Sequence, residues 1–152
     1  MNIVIGCDEA AFSLKEIIKE QLEELGYTVL DKGTYNAEPV NYPDIAVDVA
    51  ETILRGEAER GILMCGTGIG MAMAANKVPG IRAAVCHDPF STERSRKSNN
   101  AQIMCIGARI IAPELAKYLV GLWLTCNFAG GGSTEKVAKI NDYDKKYRNI
   151  GG

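Results

Sequence analysis

One histidine, His87, stands in a chain of 152 residues, and none of the five cysteines (Cys7, Cys65, Cys86, Cys105, Cys126) forms a C-x-x-C pair. A multi-histidine metal site and a structural zinc site are therefore not expected, and neither is a redox dithiol. An odd number of widely spaced thiols does not make a disulfide scaffold either; most of them read as small apolar residues of a reducing compartment. Charge of one sign is also lacking, since 17 basic residues face 19 acidic ones for a net charge of −2. That balance gives no reason to expect a nucleic-acid partner or a polybasic membrane patch, so an anionic ligand has to be held locally. No apolar run approaches the roughly eighteen residues of a membrane span, and Met1-Asn2 leads into Ile3-Val4-Ile5 without a basic or signal-like segment. The expectation is a cytoplasmic chain without a membrane.

What is present is an ordinary globular composition, 47% apolar and 24% charged, at a length that suits one domain over residues 1–152. Short β-branched runs alternate with helix-length segments. Residues 3–7, 28–31, 61–64, 81–86 and 102–106 read as strands. After the first strand, Phe12, Leu14, Ile17, Ile18, Leu22 and Leu25 recur at helical spacing, and Gly26 is a natural terminator. Pro43 and Pro113 suit the first turns of helices running to about Leu54 and Cys126, and a polar helix spans about 91–100. Strands apolar almost throughout, joined by helix-sized crossovers, predict a single Rossmann-like, three-layer α/β/α domain with a five-stranded parallel sheet. Gly130-Gly131-Gly132 then leads into a C-terminal helical appendage over about 133–147, expected to pack on a partner subunit.

Ligands of such sheets sit beyond the carboxyl ends of the strands. There the segment Cys65-Gly66-Thr67-Gly68-Ile69-Gly70 takes a buried strand through alternating glycines into a helix start, a pattern that turns several N–H groups toward one point. The spacing is G-x-G-x-G, with Met71 where a dinucleotide fingerprint wants a small residue, and no G-K-[ST] follows. An anion or oxyanion nest remains, beside the plainer reading of a tight structural turn. Cys65 opens the loop, where backbone donors and a helix start favour a thiolate able to act as base or nucleophile. Cysteine hydrolysis would need His87 brought from another loop, whereas proton abstraction beside a carbonyl needs one base, donors for an enediolate oxygen and exclusion of water. Asp8-Glu9 follows the first strand at the same edge; Asp8 is either a hydroxyl ligand, an N-cap, or both. Arg109 lies past the fifth strand as a phosphate partner or a surface ion-pair member, and His87 reads as a loop imidazole more often exposed than not. The charges of Glu93, Arg94, Arg96 and Lys97 read as a solvated face, with Asn99 and Asn100 closing that helix within reach of a ligand.

On these residues the chain resembles the ribose-5-phosphate isomerase B / galactose-6-phosphate isomerase family of sugar-phosphate isomerases over nearly its full length. The carriers are Ile5-Gly6-Cys7-Asp8, Asp31-Lys32-Gly33-Thr34, Tyr42-Pro43, Cys65–Gly70, Ala74–Ala83, Ser98-Asn99-Asn100 and Gly107-Ala108-Arg109. The resemblance implies cofactor-free and metal-free aldose–ketose isomerisation through a cis-enediolate, in a homodimer or homotetramer whose active site lies at the subunit interface. Cys65 then shuttles the proton, while Thr67 and the backbone of Gly66, Gly68 and Gly70 hold the oxyanion. Asp8 and Asn99 contact sugar oxygens, Tyr42 lines the pocket, and Arg109 reaches the phosphate from the partner.

The chain also departs from the family pattern. Glu9 stands where the family has a substrate-binding histidine, and Ser98 where it has a ring-opening one. Gly132 and Lys136 replace two phosphate-binding arginines; lysine keeps a charge without the bidentate fork. Loss of the ring-opening histidine beside a retained base points to a substrate that needs no ring opening. The stretch from His87-Asp88 to Gln102 resembles the erythrulose-4-phosphate isomerase branch of the family, which makes a tetrose phosphate the rival of ribose 5-phosphate/ribulose 5-phosphate. An isomerase of another pentose or hexose or its phosphate is a further alternative, and readings from other classes are a catalytically silent sugar-phosphate- or nucleotide-binding module and a thiol-dependent redox or hydrolytic protein.

Overall fold

The computed structural model describes residues 1–148. Five parallel strands, β1 (Asn2–Cys7), β2 (Thr28–Asp31), β3 (Arg60–Cys65), β4 (Ala83–Val85) and β5 (Ile103–Gly107), form one sheet in the order β2-β1-β3-β5-β4. Helices α1 (Phe12–Glu24), α2 (Tyr42–Leu54), α3 (Ile69–Ala75), α4 (Pro89–Lys97) and α5 (Pro113–Thr125) connect or follow them, and α6 (Gly132–Arg148) closes the chain. The expected α/β Rossmann-like fold with its five-stranded parallel sheet is what forms.

Alternation along the strands explains the two helical layers, because successive side chains point to opposite faces. Ile3, Ile5, Ile62, Met64, Met104 and Ile106 meet Leu14, Ile18, Leu22, Leu119 and Trp123 of α1 and α5. Val4, Leu63, Cys65, Ile103 and Cys105 face the other way, onto Ala46, Val49 and Ala50 of α2 and Met71 and Ala75 of α3. Each fully buried aliphatic of these layers contributes about 1.5–3 kcal/mol, so apolar residues on both faces are what hold a parallel sheet in place.

Several boundaries differ from the sequence expectation. A 3-10 turn over Glu9–Ala11 precedes α1, because the Asp8 carboxylate accepts from the N–H groups of Ala10 and Ala11 and tightens the entry. Leu25, expected in the buried stripe, is exposed, since the helix closes one residue earlier with Gly26 in a left-handed conformation. Lys15 is buried in its stead, with Nζ 2.7 and 2.9 Å from the two carboxylate oxygens of Asp31. The fourth strand is only three residues long, and α4 ends at Lys97 rather than at Asn100, which has a positive φ of 49°.

The appendage α6 rests one face on its own chain. Val137 is buried, Asp144 accepts from the Gly80 N–H, Asn141 accepts from Arg82, and Arg148 donates to carbonyls of Asn76 and Lys77. Its Ile140, Tyr143 and Tyr147 remain exposed. Among the described residues no helix is long and apolar enough to cross a membrane.

Candidate active site

Strand order reverses at β1: the chain leaves it for β2 on one side and returns to β3 on the other. Such a switch opens a crevice beyond the carboxyl ends of the two central strands, and here it lies between the Asp8-Glu9 turn and the Cys65–Gly70 loop. Asp8 N donates to Met64 O at 3.1 Å, which fastens the two loops side by side.

Within the nest, Gly68 N donates to Cys65 Sγ at 3.1 Å and Ile69 N donates to Thr67 Oγ1 at 3.2 Å. Gly68 has φ +80°, a left-handed conformation that reverses the chain at the start of α3. The N–H groups of Gly66, Thr67 and Gly70 have no acceptor among the described residues and are free for a ligand oxygen. Cys65 is buried, and Thr67 is exposed on the open side of the loop. The sulfur is thus held by a backbone donor at the rim of a cluster of further donors, the arrangement that proton abstraction with oxyanion stabilisation needs.

Close approach explains two of the glycines around the nest. A Cβ on Gly70 would stand 2.5 Å from the hydroxyl of Tyr42, so the phenol at the start of α2 lies directly over the α3 entry. A Cβ on Gly107 would lie 2.7 Å from both Cα and C of Thr67, so the end of β5 forms the floor of the loop. Tyr42 thus lies beside the loop, and Gly107 is a structural support of it that glycine counting alone does not single out.

Arg109 requires a correction. The resemblance brought it in from a partner subunit, but its Cδ and Nη1 lie 3.6 and 3.7 Å from the place a Cβ of its own Gly66 would take. Backbone register is the reason: Ala108 N donates to Cys65 O and Arg109 N to Gly66 O, which zips the segment after β5 onto the nest of the same chain. The side chain is exposed and without an ion pair among the described residues, so its charge is available at the mouth.

The two carboxylates after β1 divide their work. Asp8 acts as the cap described above, through Oδ1, and burial together with the neighbouring Glu9 charge raises its pKa above the usual carboxylate value. Glu9 Oε2 accepts from Val40 N at 3.3 Å, which ties the loop before α2 to the site edge.

His87 is not the exposed imidazole of the sequence reading. It is half-buried, and its Nε2 accepts from Gly107 N at 2.8 Å, so the ring supports the strand end beneath the nest. Burial lowers its pKa below the ordinary 6.5, with Asp88 opposing. A depressed histidine contributes stability that is present above the unfolded pKa of about 6.5 and is lost as pH falls through the folded value. Thermal denaturation from pH 7 to 5 should therefore show the wild-type melting temperature falling more steeply than that of His87→Gln, whose amide oxygen accepts the same N–H without titrating. Parallel curves would remove this role.

Ser98, Asn99 and Lys136 are not brought to the nest. Helices antiparallel to the strands end at the opposite, amino edge of the sheet, and α4 and α5 deliver Ser98-Asn99 and the Gly130–Gly132 turn there. Ser98 Oγ accepts from Arg94 at 3.3 Å, Asn99 O accepts from Arg82 just before β4, and Ala129 N donates to Lys97 O. Lys136 is exposed in the second turn of α6. The six residues of β3 separate the two edges by about 17 Å at ~3.3 Å per residue. The reading of Asn99 and Asn100 as within reach of a ligand therefore fails inside one chain.

Three of the other thiols are quiet. Burial pushes Cys7 up to about 12 and raises Cys86 and Cys105 as well. Among the described residues no three histidine, cysteine or carboxylate groups converge as a metal cage. A cavity of about 580 Å³ between α6 and the start of β4 is lined by Arg82, Asn141, Asp144 and Arg148, whose polar groups already bond one another and nearby carbonyls. It lies at the amino edge, away from Cys65.

Comparison with known proteins agrees with this geometry. A D-erythrulose-4-phosphate isomerase of Pectobacterium atrosepticum is 52% identical over 148 residues, 95% of either chain. A protein of Listeria innocua named ribose-5-P isomerase B is 48% identical over 97% of this chain and 100% of its own. The solved ribose-5-phosphate isomerase B of Clostridium thermocellum superposes with a TM-score of 0.95 at 46% identity, covering 97% of this chain and 99% of that one. The family described as Ribose/Galactose Isomerase matches residues 3–140. With the family matched over residues 3–140 and the fold and length shared, the chain belongs to the ribose/galactose isomerase family and is an isomerase.

Proposed function

We propose that this enzyme interconverts an aldose and a ketose of a phosphorylated sugar through a cis-enediolate, without a metal or cofactor. The observation that carries the reading is the Cys65 sulfur, held by Gly68 N at 3.1 Å beside three unengaged backbone donors. Cys65 as thiolate takes the proton from the carbon next to the carbonyl. The electron pair moves into the C1–C2 bond region, and the resulting enediolate oxygen is held by the free N–H groups of the loop and by the Thr67 hydroxyl. Return of the proton from Cys65 to the neighbouring carbon, with a proton passing between the two oxygens, completes the exchange. Asp8 and Tyr42 face sugar hydroxyls at the carboxyl edge, and Arg109 supplies positive charge at the mouth. A silent binding module with this architecture has no use for a thiol at the nest, which argues for the enzyme.

A complete site on this reading takes two copies of the chain. Nest, Asp8, Tyr42 and Arg109 occupy one sheet edge, and Ser98, Asn99 and Lys136 the other, so the second group serves the nest of a partner in a homodimer or a homotetramer built from such pairs. The phosphate then lies between Arg109 of one chain and the Lys136 edge of the next.

Two sugar lengths fit the reading, a pentose phosphate and a tetrose phosphate. Ser98 favours the shorter one. Its hydroxyl has no imidazole's capacity to move a proton at a furanose ring, and it is already engaged by Arg94. A tetrose 4-phosphate cannot close a furanose ring, so it asks for no ring opening. The enzyme should convert erythrulose 4-phosphate to its aldose faster than it converts ribose 5-phosphate, followed by phosphorus and proton NMR. Ser98→His should raise kcat/KM for ribose 5-phosphate by about tenfold, within the range of a single acid–base group. Turnover of neither sugar overturns the proposal, and an unchanged preference in Ser98→His overturns its tetrose part.

A further inference from the structure

Two guanidinium groups are buried at the amino edge without an acidic partner among the described residues. Arg60 and Arg96 are 5% and 7% exposed, and both stack on the ring of Trp123, at 5.4 and 5.9 Å from its centroid. Burial, and the like charges of Arg60 and Arg82, push Arg96 down to about 10. Burying such charges costs desolvation that their stacking and hydrogen bonds have to offset. Their hydrogen bonds show what they hold. Arg96 Nη1 donates to Ala101 O at 2.7 Å and to Asn100 Oδ1 at 3.2 Å, and its Nε to Cys126 O at 3.4 Å. Arg60 donates to Trp123 O, Leu124 O and Cys126 O and to Asn127 Oδ1. One bond of Arg96 thus grips the segment that follows Ser98-Asn99, and another grips the segment that leads into Gly130–Lys136. On the two-copy reading these are the two stretches the amino edge presents to a partner; the last carbonyls of α4 already accept from backbone N–H groups, so Arg96 binds the loops themselves rather than capping that helix.

We infer that Arg96, braced by Arg60, is a positioning residue for the half-site that this chain lends to a second copy, setting the spacing between Asn99 and Lys136. The inference rests on the two-copy reading of the site given above. Arg96 touches no substrate; it acts through the two loops it clamps. Its loss should loosen the groups that hold the far end of the sugar phosphate while leaving Cys65 and its donors intact, so KM rises by about tenfold or more in Arg96→Met and kcat stays within about threefold.

A mixed-subunit experiment separates this role from a structural one. Equal amounts of Cys65→Ala and Arg96→Met chains are unfolded together, refolded and assayed below KM. In a hybrid, the chain that keeps Cys65 receives its amino-edge loops from the chain that keeps Arg96, so one site in two is intact. With random pairing of two copies, activity should reach about a quarter of wild type. If Arg96 acted within its own chain, every site with Cys65 would carry the lesion, and activity would stay near one twentieth of wild type for a tenfold defect. That result would overturn the inference. Cys65→Ala mixed with Lys136→Ala tests the underlying two-copy reading by itself. Recovery there without recovery in the Arg96 mixture removes only the role of Arg96, and recovery in neither removes the two-copy reading and the inference with it. Asn100→Gly repeats the experiment should Arg96→Met fail to fold: it deletes the side-chain acceptor at a φ of 49° that glycine tolerates. A KM rise complemented by Cys65→Ala is expected, and an unchanged KM would overturn the inference.

Discussion

Cys65→Ala should lower kcat by about 10³-fold, within the 10²–10⁴ that a positioned acid–base group contributes, and leave KM within a few-fold of wild type. The split follows from where the sulfur is. It is buried at the end of β3 with one backbone donor on it, while the groups proposed to bind sugar oxygens and phosphate belong to other residues. Removing it takes away an interaction made while the proton moves and little that is made before. The other cysteines give the control. Cys7 and Cys105 are fully buried in the two cores, and alanine there should cost stability rather than kcat. A Cys65→Ala enzyme with near-normal turnover would send the search for the base to the carboxylates after β1, Glu9 first.

Gly107→Ala should be nearly as damaging by an entirely different route. The added methyl would meet the Thr67 backbone at 2.7 Å and Ile110 Cγ1 at 2.8 Å, and backbone cannot swing aside as a side chain can. Overpacking of this kind costs about 1–3 kcal/mol, and relief requires the nest itself to lift. A shift of about 1 Å in groups positioned for reaction can cost roughly 10² in rate. Gly70→Ala makes the informative contrast. Its methyl would strike the Tyr42 phenol at 2.5 Å, but that side chain is partly exposed and free to rotate outward. Steady-state kinetics with thermal denaturation on both variants should rank Gly107→Ala well below Gly70→Ala in kcat and in melting temperature. Equal effects would mean that the loop is not braced from β5.

The order of these effects marks what a sequence can and cannot carry. Alternating β-branched runs, helix-starting prolines and Gly26 carry local signals, and the sheet and helices follow them to within a few residues. The nest was legible for the same reason, since Cys65 to Gly70 is contiguous and its geometry is set by its own glycines. Its support was not. Gly107, His87 and Arg109 are brought to it by the β3–β5 pairing, through Cys65 opposite Gly107, and nothing near residue 65 announces that partnership. Lys15 gave no signal either, because a lysine in an apolar stripe looks like the solvated side of a helix until Asp31 arrives from β2. Asn99 lies at the sheet edge opposite the nest of its own chain, which its identity alone does not announce. A polar pair at the end of a helix reads as available, but only helix direction says at which sheet edge it emerges. Arg109 erred in the opposite sense, drawn from a partner when register places it at home.

That division also explains why reaction type and substrate stand so differently. On the proposed reading the chemistry rests on one loop of one chain, whereas sugar length depends on Ser98, Lys136 and Glu9, residues at both edges whose meeting takes a second copy. Arg60 and Arg96 then fit as internal braces of the surface proposed to serve a second copy.

Whether Cys65 moves a carbon-bound proton in a sugar phosphate is read out by solvent exchange. Wild-type enzyme and Cys65→Ala are incubated in deuterium oxide with erythrulose 4-phosphate and with ribose 5-phosphate, and label at the carbon beside the carbonyl is followed by NMR. Incorporation by the wild type with at least one of the two sugars is expected, and none above background by Cys65→Ala. Absence of label with both sugars in the wild type, or undiminished labelling by Cys65→Ala, would contradict that role of Cys65.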